Sequence, residues 1–172
     1  MPLVRSFPPV ARADARVLIL GSMPGAASLA AGRYYAHPRN AFWPIVGAIA
    51  GFAPSLPYDE RLAALQQRGI ALWDVLQSCE REGSLDAAIA GASAQANDFA
   101  TFFAAHAHLA VVLCNGGTAY DLFRRRVVPT LPVPFDALPC VQLPSTSPAH
   151  AGRTFAEKCA AWRRALTPCL PC

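Results

Sequence analysis

The sequence predicts an α/β protein, a three-layer α/β/α sandwich around a central four-stranded, mostly parallel sheet. Three observations predict it. Four short runs, Arg16–Leu20, Ile70–Val75, Ala110–Cys114 and Cys140–Leu143, are near-continuously apolar and do not alternate, as in parallel strands covered on both faces. Helical segments lie between these runs, and strands alternating with helices build such a sheet. The 172 residues suffice for one domain with a sizeable core and are too few for two ordinary ones.

The elements follow in order. After the first strand, Asn40–Gly51 is an amphipathic helix that tolerates Pro44 near its start. Asp59–Arg68 opens on acids and closes on a base before Gly69, which suits the helix dipole and a glycine stop. Asn97–Ala105 begins with an Asn cap. Gly117–Arg126 follows the third strand directly, and Thr154–Leu166 is the last helix. The proline-rich stretch Pro129–Pro139 reads as a loop. One domain is expected over residues 1–172, with its core from about residue 16 to 166 and a flexible tail at 167–172.

Composition narrows the class. Apolar residues make up 53% of the chain and charged ones 15%, which excludes a disordered protein. No run of 18 apolar residues appears and the N-terminus lacks a signal-peptide stretch, so a cytoplasmic protein is expected. The net charge is +4 and Lys158 is the only lysine, so the basic side chains are almost all arginine. Arginine's planar fork suits phosphate, which fits a nucleic-acid partner as well as a mildly basic enzyme. Of six cysteines, Cys114 and Cys140 read as buried small hydrophobes. Cys169 and Cys172 form a C-x-x-C without a second pair at zinc-site spacing.

Ligands of such folds bind outside the carboxyl ends of the strands. Four segments land there: Gly21–Arg39, Gln77–Ser84, Asn115–Thr118 and Pro144–Gly152. GSMPG (Gly21–Gly25) lets backbone N–H groups approach a ligand, yet it is neither a Walker loop nor a dinucleotide fingerprint. YYAHPRN (Tyr34–Asn40) offers a ring that stacks a planar base or packs on the core. In it, His37 contacts phosphate or caps a turn, and Asn40 reads as an N-cap. Asp74 ends an apolar strand, where it reads a ligand N–H or caps the next loop. LPSTSPAHAGR (Leu143–Arg153) gathers small hydroxyls suited to phosphate; a Ser147–His150 hydrolase is the competing reading, without a G-x-S-x-G elbow.

Together GSMPG, YYAHPRNAFW, LWDVL, REGSLDAAI, CNGGTAYDLF and LPSTSPAHA, in this order, resemble the hypoxanthine (deoxyinosine) DNA glycosylases of the uracil-DNA glycosylase superfamily, from about Arg16 to Trp162. YYAHPRNAFW is similar to the Phe-Ala-His-Pro-x-Asn-x-Phe-Trp segment of the mismatch-specific branch. Other branches carry a catalytic Asn or Asp where this chain has Met23. The resemblance places the catalytic Asn at Asn40 and the stacking aromatic at Tyr35. It places Asp74 where the uracil-specific branch reads uracil with an Asn.

The resemblance implies hydrolysis of the N-glycosidic bond of a deaminated base in DNA, hypoxanthine first, after the nucleotide flips out of the duplex. Asn40 would position water, while Ser22 and the Gly21–Gly25 backbone would stabilise the leaving base. His150 would assist or hold a phosphate. The base pocket is assigned to Tyr35, Asp74, Gly21, Met23, Pro24, Gly25 and Asn115. DNA contacts fall to His37, Pro144, Ser145, Thr146, Ser147, Pro148, Ala149 and Arg153. A carboxylate only accepts hydrogen bonds, so Asp74 favours the N1–H of hypoxanthine over a uracil carbonyl. Lys158 is read as lying away from the loop ends, which leaves no amine for strand cleavage and implies a monofunctional enzyme. The superfamily's iron–sulfur branches use cysteines near the N-terminus, whereas the first here is Cys79, so no cluster, metal or cofactor is expected. Damaged DNA is the implied partner, with no membrane and no obligate protein partner. The alternatives are a uracil-DNA glycosylase and a non-catalytic damaged-DNA-binding module.

Overall fold

A computed structural model describes residues 1–172. Seven strands run in chain order: β1 (Leu3–Arg5), β2 (Val17–Gly21), β3 (Ile70–Asp74), β4 (Leu76–Glu80), β5 (Gln95–Ala96), β6 (Val111–Asn115) and β7 (Cys140–Leu143). Six α-helices accompany them: α1 (Ala26–Ala31), α2 (Phe42–Ala50), α3 (Tyr58–Gln67), α4 (Phe99–Ala105), α5 (Gly117–Leu122) and α6 (Phe155–Leu166).

The central sheet has the order β3-β2-β6-β7, and all its pairs are parallel. Every residue of β2 and β3 is buried, which is why their sequences run apolar without alternation. Successive side chains still point to opposite faces, and the core divides accordingly. Leu18 and Leu20 join Ala71, Trp73, Val112 and the phenylalanines of α4 on one face. Val17 and Ile19 join Ile70, Leu72, Leu113 and the buried faces of α2 and α6 on the other. These two cores separate the three expected layers.

The sequence reading missed a second sheet, antiparallel, in the order β1-β4-β5. Its centre, β4, corrects the loop expected over Gln77–Ser84. One residue, Val75, separates it from β3. Ser78 and Cys79 are both buried in it, so its burial does not alternate and its polar composition hid a strand.

Helix ends follow local chemistry. The cap of α4 is Asp98, not Asn97: its carboxylate accepts from Thr101 N at 3.1 Å and from Thr101 Oγ1 at 2.7 Å. Asn97 instead donates its Nδ2 to the Asp74 carbonyl at 2.8 Å. The helix expected over Gly117–Arg126 leaves α geometry at Leu122 and continues as a π turn over Phe123–Val127. Thr154 and Glu157 close a capping box on α6. Beyond α6 a 3-10 turn spans Thr167–Cys169, and Cys169 and Leu170 pack against the core. No helix is long and apolar enough to cross a membrane.

Candidate active site

The carboxyl ends of the four parallel strands open into a cleft of about 570 Å³. Each strand delivers one wall, because parallel strands point all their exits the same way. Gly21–Gly25 leaves β2, Asp74 ends β3, Asn115–Thr118 leaves β6 and Ser145–His150 follows β7; the Tyr34–Asn40 segment closes the ring. This brings together all but two of the sequence-derived site residues. Arg153 is exposed and Pro144 is half-buried, and neither lines the cleft.

The first loop is pinned through its carbonyls. Val75 N donates to Gly21 O at 2.8 Å and Leu76 N to Ser22 O at 3.1 Å. The N–H groups of Ser22, Met23 and Gly25 donate to no protein acceptor, which leaves them for a ligand. The Met23 side chain is buried with Leu76 and Cys79 in a small core of its own. Methionine at this position packs the loop down and cannot orient water. The Ser22 hydroxyl points elsewhere than expected: it donates to Asp86 Oδ1 at 2.6 Å. Arg81, 1% exposed, donates from Nη2 to Pro24 O at 2.6 Å and from Nε to Gly83 O at 2.9 Å. Ser84 accepts from Ala26 N at 2.8 Å. Sequence reasoning missed Arg81, Ser84 and Asp86, although REGSLDAAI had stood out as a motif.

Asp74 is 3% exposed, and its Oδ2 has no hydrogen-bond partner. Burial, then repulsion from Asp86, pushes its carboxyl up to about 7, against the pull of Arg81. Tyr35 stacks one face on Phe42, with centroids 4.0 Å apart and 21° between planes. Its backbone is left-handed, φ 54°, a conformation that a bulky residue adopts only when its surroundings hold it there. The hydroxyl is buried without a partner, and burial, then the charge of Asp74, raises its pKa. Tyr34 takes the other fate open to this pair: it packs on the core, donating from its hydroxyl to Pro8 O at 2.8 Å.

Asn40 is not the cap expected: α2 starts at Phe42 with Ala41 at its cap position, and Asn40 Oδ1 accepts from Phe42 N at 2.9 Å while the residue lines the cleft. His37 Nδ1 accepts from Arg39 N at 3.0 Å, closing the turn before it. Asn115 is committed to Thr146 at both ends. Its Nδ2 donates to Thr146 Oγ1 and its Oδ1 accepts from Thr146 N, each at 2.9 Å. The pair clasps the end of β6 to the loop after β7. Within that loop, Ser145 Oγ accepts from Ser147 N at 3.1 Å, and Ser147 Oγ accepts from Ala149 N at 3.2 Å. Ser147 and His150 are joined only through the backbone, with no hydroxyl–imidazole bond of the kind a hydrolase needs.

Lys158 corrects the sequence reading. Its ammonium is not remote from the strand-end loops: it donates to His150 O at 2.7 Å and lies 3.4 Å from Ser147 O. With Trp162 Nε1 donating to Pro144 O at 2.9 Å, α6 fastens the loop from beneath.

No group of three or more His, Cys, Asp or Glu side chains is placed to hold a metal ion. The family model of the uracil DNA glycosylase superfamily matches residues 8–166. A hypoxanthine DNA glycosylase from Methanosarcina barkeri is 40% identical over 113 residues, 65% of this chain and 70% of that protein. One of the same description from Methanosarcina acetivorans is 36% identical over 116 residues, 67% and 72% of the two chains. The solution NMR structure of a candidate uracil DNA glycosylase from Methanosarcina acetivorans aligns with a TM-score of 0.75 at 30% identity, covering 95% of this chain and 98% of that one. These likenesses place the chain in the uracil DNA glycosylase superfamily, to which it belongs.

Proposed function

We propose that this protein is a monofunctional DNA glycosylase that hydrolyses the N-glycosidic bond of deoxyinosine in DNA. The observation that carries the reading is the convergence of Tyr35, Asn40 and Asp74 on one cleft. The names of the two Methanosarcina relatives support hypoxanthine as the base.

The chemistry follows from the walls. A base in a duplex is inaccessible, so the nucleotide flips out, at lower cost because deoxyinosine pairs imperfectly. The base stacks on Tyr35, whose own ring is backed by Phe42. Asp74, ionised, accepts the N1–H. As the bond loosens, positive charge grows on the sugar and negative charge on the base. The free N–H groups of Ser22, Met23 and Gly25 stabilise the departing base. Asn40 positions the attacking water through its amide, held in place by the Phe42 N–H. Ser22 acts through its backbone, since its hydroxyl is engaged by Asp86. The Ser145–His150 wall meets the DNA, with Asn115 and Lys158 holding it in shape. The same ammonium contacts two carbonyls and lies outside the cleft lining, so no amine stands ready to form a Schiff base, and the product is an abasic strand.

Base release from a duplex with one deoxyinosine, beside a matched uracil duplex, tests the reading. Hypoxanthine release by wild type, lost in Asn40→Ala, is expected. Uracil release alone would overturn the substrate, and binding without release of either base would favour a non-catalytic module.

A further inference from the structure

A second cavity, of about 320 Å³, abuts the cleft and shares Tyr34, Tyr35, His37 and Asn40 with it. Its other walls carry two arginines and two aromatic rings. The Arg61 guanidinium lies 4.6 Å from the Trp43 ring centroid and 5.4 Å from that of Tyr58. Arg33 lies 5.4 Å from the same Tyr58 ring. Two cations therefore stand on one tyrosine.

Nothing neutralises them. The cavity lining contains no Asp or Glu. The protein's one ion pair, Arg12–Asp14, involves neither arginine. Arg61 Nε is buried without a hydrogen-bond partner. Burial and the charge of Arg33 both act to lower the Arg61 pKa, against the opposing influence of Tyr58. Stacking on a ring occupies the face of a guanidinium and leaves its edge, which carries the N–H donors, free. Two guanidinium groups lining one cavity without a counter-ion suit the oxygens of a phosphate.

We propose that the Arg33–Arg61 cavity is a phosphate subsite that takes a backbone phosphodiester of the DNA strand next to the flipped nucleotide. The assignment to DNA rests on the glycosylase reading. Tyr35 and Asn40 line both cavities, so a phosphate held here would lie one wall away from a nucleotide in the cleft. Uncharged aromatics then keep the two forks in place before the DNA arrives, so little ordering remains to be done on binding.

The test is the salt dependence of binding, which needs no turnover and so is independent of which base is released. Fluorescence anisotropy on an undamaged duplex, and on one with a stable abasic analogue, is measured from low to moderate KCl for wild type, R33M, R61M and the double variant. R12M, at an exposed arginine paired with Asp14, is the control. Each lost phosphate contact flattens the slope of log K against log [salt] by about 0.9. A slope flatter in each single variant and flatter by about 0.9 in the double, which loses the one phosphate both arginines share, with R12M at wild type, is the expected result. Methionine keeps the packing stem of Arg61, and thermal melting checks its fold; Arg33 is exposed, so R33M decides alone if R61M unfolds. A wild-type slope in R33M overturns the proposal. A second arm compares inorganic phosphate with KCl at equal ionic strength. Phosphate-specific inhibition lost in the variants while the DNA slope stays unchanged overturns the assignment to DNA and leaves free phosphate as occupant.

Discussion

Asp74 stands directly over Gly21: a methyl group built on Gly21 would lie 2.5 Å from Asp74 Oδ1 and 3.2 Å from the Tyr35 hydroxyl. The two residues are register partners on β2 and β3, so neither backbone can retreat without opening the sheet. Gly21 is thus required for close approach, and it sets the depth of the cleft at this point. Gly21→Ala is expected to cost about 1–3 kcal/mol by overpacking and to depress deoxyinosine cleavage. Gly25→Ala meets only Ser84, at 3.6 Å, and is expected to cost less. Denaturant melts and base-release rates on the pair check this; equal losses would remove the special role of Gly21.

Asp74 has a carboxyl whose titration is shifted toward neutrality. Its carboxyl is raised to about 7 by burial first and by Asp86 second. Above that pH it accepts a hydrogen bond, and below it the acid can also donate one. Deoxyinosine cleavage is expected to rise with a single ionisation near pH 7. Any uracil cleavage should gain relative to it as pH falls, because uracil O4 calls for a donor. Asp74→Asn should flatten the limb and raise relative uracil activity at neutral pH. An unchanged limb and base preference in that variant would sink the assignment.

The same shift has a stability sign. The native pKa lies above the ordinary value of 3.8, so the folded protein disfavours the charged carboxyl. The cost is absent below about pH 4, grows as pH rises, and is complete above about pH 7. Relative to wild type, Asp74→Asn should therefore gain stability across this window, by up to about 4 kcal/mol. Urea melts at pH 4 and pH 8 measure the gain, and a constant difference between them would count against a buried ionised Asp74.

The parallel sheet was legible because its strands are buried on both faces, and unbroken apolar runs such as Val17–Leu20 leave few other readings. The order of the strand-end loops then points to the cleft, because all four parallel strands end on the same side. What escaped was long-range polar pairing. Ser22 and Asp86 are 64 positions apart, and Arg81 and Pro24 are 57 apart; no local pattern announces either bond. Lys158 is different. It lies four residues before Trp162 on the buried stripe of α6, so helical spacing could have shown it pointing inward. The Asn97 cap failed because two capping residues stand side by side, and only the fold assigns one of them to Asp74.

The structural and the proposed catalytic roles of Asn40 can be separated by substitution. Asn40→Ala removes the acceptor for Phe42 N as well as an amide that lines the cleft. It should lose about 1 kcal/mol of stability, as for a lost cap, and about 10²–10⁴-fold in base release. Asn40→Asp keeps the acceptor, so its stability should stay near wild type while the rate reports the chemistry alone. If both variants lose activity only in proportion to their unfolded fraction, Asn40 has no part in the reaction.

Asp86 tunes Asp74 through charge and holds Ser22 through a hydrogen bond. Asp86→Asn retains an acceptor for the Ser22 hydroxyl but removes the repulsion that raises Asp74. The pH midpoint of deoxyinosine cleavage should move down, with the rate above pH 8 little changed. A midpoint that stays in place would mean that burial alone raises Asp74.

Lys158, the chain's only lysine, clamps the loop after β7. It donates to His150 O at 2.7 Å and approaches Ser147 O at 3.4 Å, while Asn115 grips Thr146 between them. Burial lowers its pKa, and the charged hydrogen bonds it makes are the return on that desolvation. Lys158→Met preserves the apolar stem and deletes the donors. It should cost about 1–3 kcal/mol of stability and loosen Ser145–His150. If that wall meets DNA as proposed while the bond breaks elsewhere, KM should rise more than kcat falls. The strand product must stay the same: an intact abasic strand from wild type and variant alike, read on a gel run without alkali or heat. Strand breaks made by wild type and abolished in Lys158→Met would show the amine acting as a nucleophile, and the clamp would then be the resting state of a bifunctional enzyme.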